Sequence, residues 1–208
     1  MPSKKYYLNR EKTEVFELSW SAGFRVVSVL YNEQLLSTMN REEVSAGKAI
    51  ELPDGRIVDI KLEGGFFTAL TAKINGNHIP GTQGDPRFQL RQIYYLLIVL
   101  GLLNIIIGFI FANSNVQLKK FDGIGYVNVG IGILYITLGY AITKGSMPAL
   151  IITTLLMFAD LILTTMHSSQ TQSYVGVFIK IFFIYFITRG FKYMRELNAT
   201  NKSSQNNK

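Results

Sequence analysis

The stretch IYYLLIVLGLLNIIIGFIFA, residues 93 to 112, carries no charge and has the length an α-helix needs to cross the hydrocarbon core of a bilayer. Three more apolar segments follow, at about 124 to 143, 147 to 166 and 174 to 193, separated by short polar breaks. The pattern predicts a multi-pass protein whose four transmembrane helices occupy residues 86 to 196. Residues 1 to 85 read as a small soluble β domain, and residues 197 to 208 as a short polar tail expected to be disordered. The expected fold class is a membrane protein of α+β type: an antiparallel β sandwich or partly open barrel, followed by a four-helix transmembrane bundle.

Charge divides the chain at the same place. Residues 1 to 87 hold 11 Lys and Arg against 11 Asp and Glu, whereas residues 88 to 208 hold 10 against 3, so the net charge of +7 belongs to the apolar half. These cations flank apolar helices and do not cluster on a soluble surface, which argues against a nucleic-acid partner. The absence of cysteine excludes disulfides, thiolate metal sites and a thiol nucleophile. Lys4 and Lys5 are followed by Asn9, Arg10, Glu11 and Lys12 and not by an apolar run, so no secretory signal peptide is expected.

Within the first 85 residues the period is that of strands. Glu14 to Trp20 alternates polar with apolar residues, and Phe24 to Tyr31 is rich in β-branched and aromatic residues. Leu52-Pro53-Asp54-Gly55-Arg56 supplies a turn between Ala49–Leu52 and Ile57–Leu62, with proline presetting one turn position and glycine taking the positive φ. Gly64-Gly65 leads into Phe66–Ile74, and Asn75-Gly76 predicts a hairpin to a short last strand near Ile79. Five or six strands are expected.

Helix signals resume at the junction. Asp85 before Pro86 is an N-cap followed by a residue with preset φ, Asp122 is a candidate cap for the second helix, and Lys144-Gly145-Ser146-Met147-Pro148 combines a C-cap glycine with an N-cap serine. Four spans put Arg87, Arg91, Lys144, Arg189, Lys192, Arg195, Lys202 and Lys208 on one face and only Lys119 and Lys120 on the other. The positive-inside rule then places both termini in the cytoplasm of a cell with an inner (plasma) membrane.

One residue in each span stands out as polar: Asn104, Asn128, Asp160 and Lys180. Counted from the non-cytoplasmic ends at about 1.5 Å per residue, all four fall roughly 9 to 14 Å below that surface and can form one layer. Gly101, Asn104 and Gly108 share one stripe of the first helix; Gly125, Asn128, Gly132 and Gly139 share one of the second, where small residues permit close helix packing. An isolated charge in hydrocarbon costs at least about 2.5 to 3.5 kcal/mol, so Asp160 and Lys180 are expected to pair. Such a pair fixes helix register or serves an ion, proton or small solute; lipid-facing snorkelling of Lys180 is the third reading.

Catalytic signatures are missing: there is no G-x-S-x-G, H-E-x-x-H, P-loop or strand-linked G-x-G-x-x-G. With two histidines, His78 and His167, in different parts of the chain, no His-based metal site is expected. Neither an enzyme nor a cofactor is expected. Trp20, Arg25 and the Asn75–Pro80 loop are candidate contacts for a protein partner of the β domain, although a lone Trp beside strand residues is ordinarily core. Arg189, Lys192 and Arg195, interleaved with Phe191 and Tyr193, suit a surface anchor on an anionic leaflet.

Taken together, Leu52-Pro53-Asp54-Gly55, Asn75-Gly76-Asn77-His78-Ile79-Pro80-Gly81-Thr82 and Asp85-Pro86, followed by a Gly- and Asn-containing span, resemble a group of uncharacterised bacterial membrane proteins with an N-terminal β domain. The resemblance implies that architecture and no activity. The expected function is a membrane-tethered binding, scaffolding or sensing module in contact with the lipid bilayer; the alternative is a small conduit or transporter built on the Asp160/Lys180 layer, in which a homo-oligomer would enclose the water that four helices alone do not.

Overall fold

The computed structural model describes residues 1–9, 11–63, 68–113, 124–171 and 174–206. The positions of Lys119, Lys120, Asp122, Ser173 and Lys208, and the start of the strand expected from Phe66, lie outside the described residues. So do the side chains of Thr164, His167 and Lys202. The chain divides into two compact units, Met1–Phe88 and Gln89–Lys208.

Among the described residues the first unit holds two four-stranded antiparallel sheets. One has the order β1 (Ser3–Tyr7), β2 (Val15–Trp20), β3 (Val26–Tyr31), β4 (Gln34–Asn40). The other runs β5 (Lys48–Glu51), β6 (Ile57–Glu63), β7 (Ala69–Ile74), β8 (Asn77–His78), and α1 (Arg41–Ala46) connects the two. Phe16, Leu18, Val27 and Val29 from one sheet and Val58, Ile60, Leu62 and Ala72 from the other are buried in a single core. In β2, β3 and β6 this is the period-2 alternation of the sequence at work, every second side chain turning inward.

The turns follow their chemistry. Asn75 and Gly76 both take positive φ, 47° and 81°, in a two-residue loop pairing Ile74 with Asn77, and the Asn75 side chain accepts from the Ile57 N–H. Gly55 takes φ 82° after Pro53-Asp54, with the Gly55 N–H donating to the Leu52 carbonyl.

Two strands and a helix go beyond the five or six strands expected. β1 is an edge strand with Tyr6 as its buried side chain, so its sequence alternates too weakly to be read. β4 follows a loop in which Asn32 and Glu33 take φ 46° and 68°; with Glu at a position usually held by Gly, the turn signal was hidden. The six-residue α1 is too short for periodicity but starts with a capping box, Asn40 and Glu43 satisfying each other's backbone N–H groups.

The second unit is helical: α2 (Pro86–Asn113), α3 (Ile124–Thr143), α4 (Met147–Thr171), α5 (Val175–Thr188) and α6 (Gly190–Asn206). Asp85 caps α2, its carboxylate accepting from the Arg87 N–H at 2.9 Å while also accepting from Gly81 N–H at 2.8 Å. The α3–α4 turn is a Schellman motif: Gly145 sits at φ 86°, Gly145 N–H donates to the Ile142 carbonyl and Ser146 N–H to the Ala141 carbonyl. Among the described residues two helical stretches are long and apolar enough to cross a membrane, Pro86–Ala112 and Gly125–Thr143; the apolar stretch Met147–Leu163 is shorter.

The end of the chain departs from expectation twice. The apolar run at 174 to 193 is broken at Arg189, with Gly190 opening a new helix, and the backbone is helical through Asn206 where a disordered tail was expected after residue 196. Buried Tyr193, Met194 and Leu197 recur at helical spacing and join the core formed by Leu97, Ile142, Leu150 and Ile187, so tertiary packing sustains a helix that polar composition alone disfavours.

Candidate functional site

The polar residues of the helical unit sit on stripes that also carry its core. Thr153 and Met157 are buried and lie on the face of α4 that continues to Asp160; Ile184 and Ile187 are buried on the face of α5 that starts at Lys180. α4 and α5 pack against each other. The result is an ion pair, Lys180 Nζ to Asp160 Oδ2 at 2.7 Å, with Nζ also 3.5 Å from the Asp160 carbonyl oxygen. The two side chains remain 25% and 45% exposed, so the pair caps the buried stripes and is not sealed within them.

Asn104 and Asn128 are both half-buried. The Asn104 amide donates to the Leu100 carbonyl of its own helix at 2.8 Å, and among the described residues no hydrogen bond links either asparagine to the ion pair. Among the described residues the arrangement is thus a salt bridge that neither asparagine joins. Chemically it offers a carboxylate neutralised by an ammonium group; no group of three or more His, Asp or Glu able to hold a metal occurs among the described residues.

The glycines lie at one helix contact. A Cβ on Gly101 would lie 2.7 Å from the Gly132 carbonyl oxygen, one on Gly108 2.6 Å from that of Gly125, and one on Gly139 2.9 Å from Tyr94 Cδ2. The pairs 94/139, 101/132 and 108/125 keep one antiparallel register, stepping by seven residues on each helix, so the small residues form a continuous seam between α2 and α3. On this register Asn104 and Asn128 fall within about one residue of the same level, or about 1.5 Å.

At the opposite end of the helices, Arg189 is half-buried at the α5–α6 junction and Lys192 and Arg195 are exposed. Arg189 donates to the Tyr193 hydroxyl at 3.4 Å, and Lys192 lies 4.0 Å from Glu196 and over the Tyr193 ring. Sequence reasoning missed the buried Gly190, where a Cβ would meet Ile93 Cδ1 at 2.6 Å. Its signal was a glycine directly after the last apolar residues of a span.

In the first unit Trp20 is half-buried and packs against the core, its ring stacked on Phe24 at 6.0 Å, while Arg25 is exposed. Of the candidate loop, Asn77 and His78 form β8 and Ile79 is buried, which leaves Asn75 and Gly76 as the turn. A polar cluster that was not foreseen joins Arg56 to Asp54, Glu14 and the Tyr31 hydroxyl. Arg56 holds the Asp54 carboxyl below the usual carboxylate range by hydrogen bonding to its charged form. Comparison with protein-family models, with curated proteins and with solved structures found no match.

Proposed function

We propose that the chain is a multi-pass inner-membrane protein that crosses the bilayer four times, with both termini cytoplasmic, and that its β unit is a membrane-tethered binding, scaffolding or sensing module. The observation that carries the membrane reading is the exposure of apolar side chains on the longest helix. Val99, Leu102, Ile106, Ile110 and Phe111 are each about half exposed or more, and only 17% of the apolar window of α2 is buried. A core helix of a soluble protein hides such a surface; hydrocarbon tolerates it at no cost. The bundle reading is supported further by Leu155, Leu163 and Phe178, exposed on α4 and α5 while the opposite faces are buried. Orientation follows from the excess of Lys and Arg at one set of helix ends.

The tethered-module reading of the β unit draws on its balanced charge, 11 Lys and Arg against 11 Asp and Glu in residues 1–87. The conduit alternative draws on one observation, the partial exposure of the Asp160–Lys180 pair, which leaves the carboxylate open to a cation or proton.

The test is alkaline-carbonate extraction of membranes from cells expressing the full chain, with protease accessibility of tags at both ends, and cross-linking mass spectrometry for partners. Retention in the membrane, protected tags in right-side-out vesicles and cross-links confined to residues 1–85 are expected. Release by carbonate would refute the membrane reading, and exposed tags the orientation. Cross-links confined to the helices would refute the β-module reading.

A further inference from the structure

We infer that the cleft between the start of α2 and the α5–α6 junction binds the phosphate of an anionic phospholipid, with Arg189 as its charged contact. The inference rests on the membrane reading above. The cleft is lined by Gln89, Ile93, Phe186, Arg189, Gly190 and Tyr193.

Arg189 is the anomaly. Its guanidinium is half-buried and has the Tyr193 hydroxyl as its hydrogen-bond partner, with no carboxylate within ion-pair distance among the described residues. The described acids of the helical unit have other partners. Of those described, Asp160 is paired with Lys180 and Glu196 lies next to Lys192. A partly desolvated cation without an acid favours an anion, and the planar fork of arginine matches two oxygens of a phosphate.

The walls decide which phosphate. Along α5 and α6 the residues Phe182, Phe186, Arg189 and Tyr193 share a stripe, and along α2 so do Gln89, Ile93, Leu96 and Leu100. Both stripes are polar at the cleft and apolar farther into the helices, which is the layout of an amphiphile with its head on Arg189, Gln89 and Tyr193 and its chain along Phe186 and Leu96. The cleft has room for only about one water, about 10 Å³, so the phosphate sits at its mouth. That mouth lies at the start of the first span, the depth of lipid headgroups, and the exposed Lys192 stands over the ring of its lining residue Tyr193.

The test titrates the full chain, in neutral detergent, with dioctanoyl phosphatidylglycerol, dioctanoyl phosphatidylcholine or inorganic phosphate, following native mass spectra and the melting midpoint. Phosphatidylglycerol is expected to bind and stabilise, and the other two at equal concentration far less. Arg189→Gln should weaken phosphatidylglycerol binding by about tenfold or more, as loss of a charged hydrogen bond does, and Lys192→Gln by about twofold or less. Should Arg189→Gln not fold, Arg189→Lys, which keeps the charge and loses the fork, is expected to bind with intermediate affinity. Equal binding by wild type and the Arg189 variants overturns the site. Equal stabilisation by inorganic phosphate makes it a free-anion site, and equal binding of phosphatidylcholine removes the preference for an anionic lipid. Carbonate release of the wild-type chain would instead fail the membrane reading, whereas retention with unchanged lipid binding in Arg189→Gln would fail only the lipid site.

Discussion

Replacing Gly132 by alanine tests the α2–α3 seam and carries its own control two residues away. A Cβ at Gly132 would lie 2.5 Å from the Gly101 carbonyl oxygen and 2.7 Å from Ile105 Cγ1, whereas one at Gly130 meets nothing within 4 Å. Ordinary contact begins near 3.4 Å, so the helices must part by about 0.9 Å at this level. A radial gap of that size forfeits roughly a quarter to a half of each dispersion contact along the seam, and overpacking of this kind costs about 1–3 kcal/mol. Alanine returns up to about 1 kcal/mol in helix propensity at either position. Gly132→Ala is therefore expected to lose up to about 2 kcal/mol and Gly130→Ala to gain up to about 1 kcal/mol. At about 2–4 °C per kcal/mol the melting midpoints move in opposite directions by a few degrees. The assay is thermal unfolding of the full chain in one mild detergent, followed by far-UV circular dichroism and by recovery of monodisperse protein after heating. Equal shifts of the same sign in both variants would refute the close glycine contact.

Asp160→Lys and Lys180→Asp, each leaving two like charges face to face at the 2.7 Å contact, should each reduce thermal stability, and the double swap should restore it; stability that stays low in the swap would show that the pair does not act as a unit. If the swap refolds without recovering a transport signal in reconstituted vesicles, the conduit reading gains. Gly76→Val forces a β-branched residue into φ 81° in the β7–β8 turn, and a loss of about 1–2 kcal/mol is expected, read by chemical denaturation; no loss would mean that the turn takes another form. The Glu43 carboxyl is held below its ordinary value first by its hydrogen bond from Lys48 and then by the Asn40 N–H. A depressed acid stabilises above its unfolded pKa, so this contribution is present at neutral pH and disappears as pH falls through the folded pKa. NMR titration should place the Glu43 midpoint below 4.5, and Lys48→Met should raise it; an unmoved midpoint would count against the contact.

How much of this was legible depends on whether the determining interactions are local. Turns at Leu52–Arg56 and Asn75-Gly76, the Asp85-Pro86 start of α2 and the Gly145 turn are written in residues whose φ preference or capping oxygen acts within a few positions, and the structure places each as read. The capping box of α1 was equally local and was passed over because the helix it starts is only six residues long. β1 and β4 were illegible for a different reason: an edge strand is defined by its hydrogen-bonded neighbour, and neither buries enough alternate side chains to announce itself.

In the helical half, composition alone determined that residues 93–112 form a long apolar helix, and spacing alone put the glycines and asparagines on shared stripes. Tertiary structure decided the rest. The register that sets Gly101 against Gly132 is chosen by backbone contact between two helices, which periodicity within one helix cannot specify. The salt bridge of Asp160 with Lys180 required α4 and α5 to pack at one particular rotation, and the same packing left both asparagines out of it. The helix after Arg189 persists through polar sequence because Met194 and Leu197 find Ile142 and Leu150 across the chain, and that burial outweighs a local propensity that on its own favours a disordered tail.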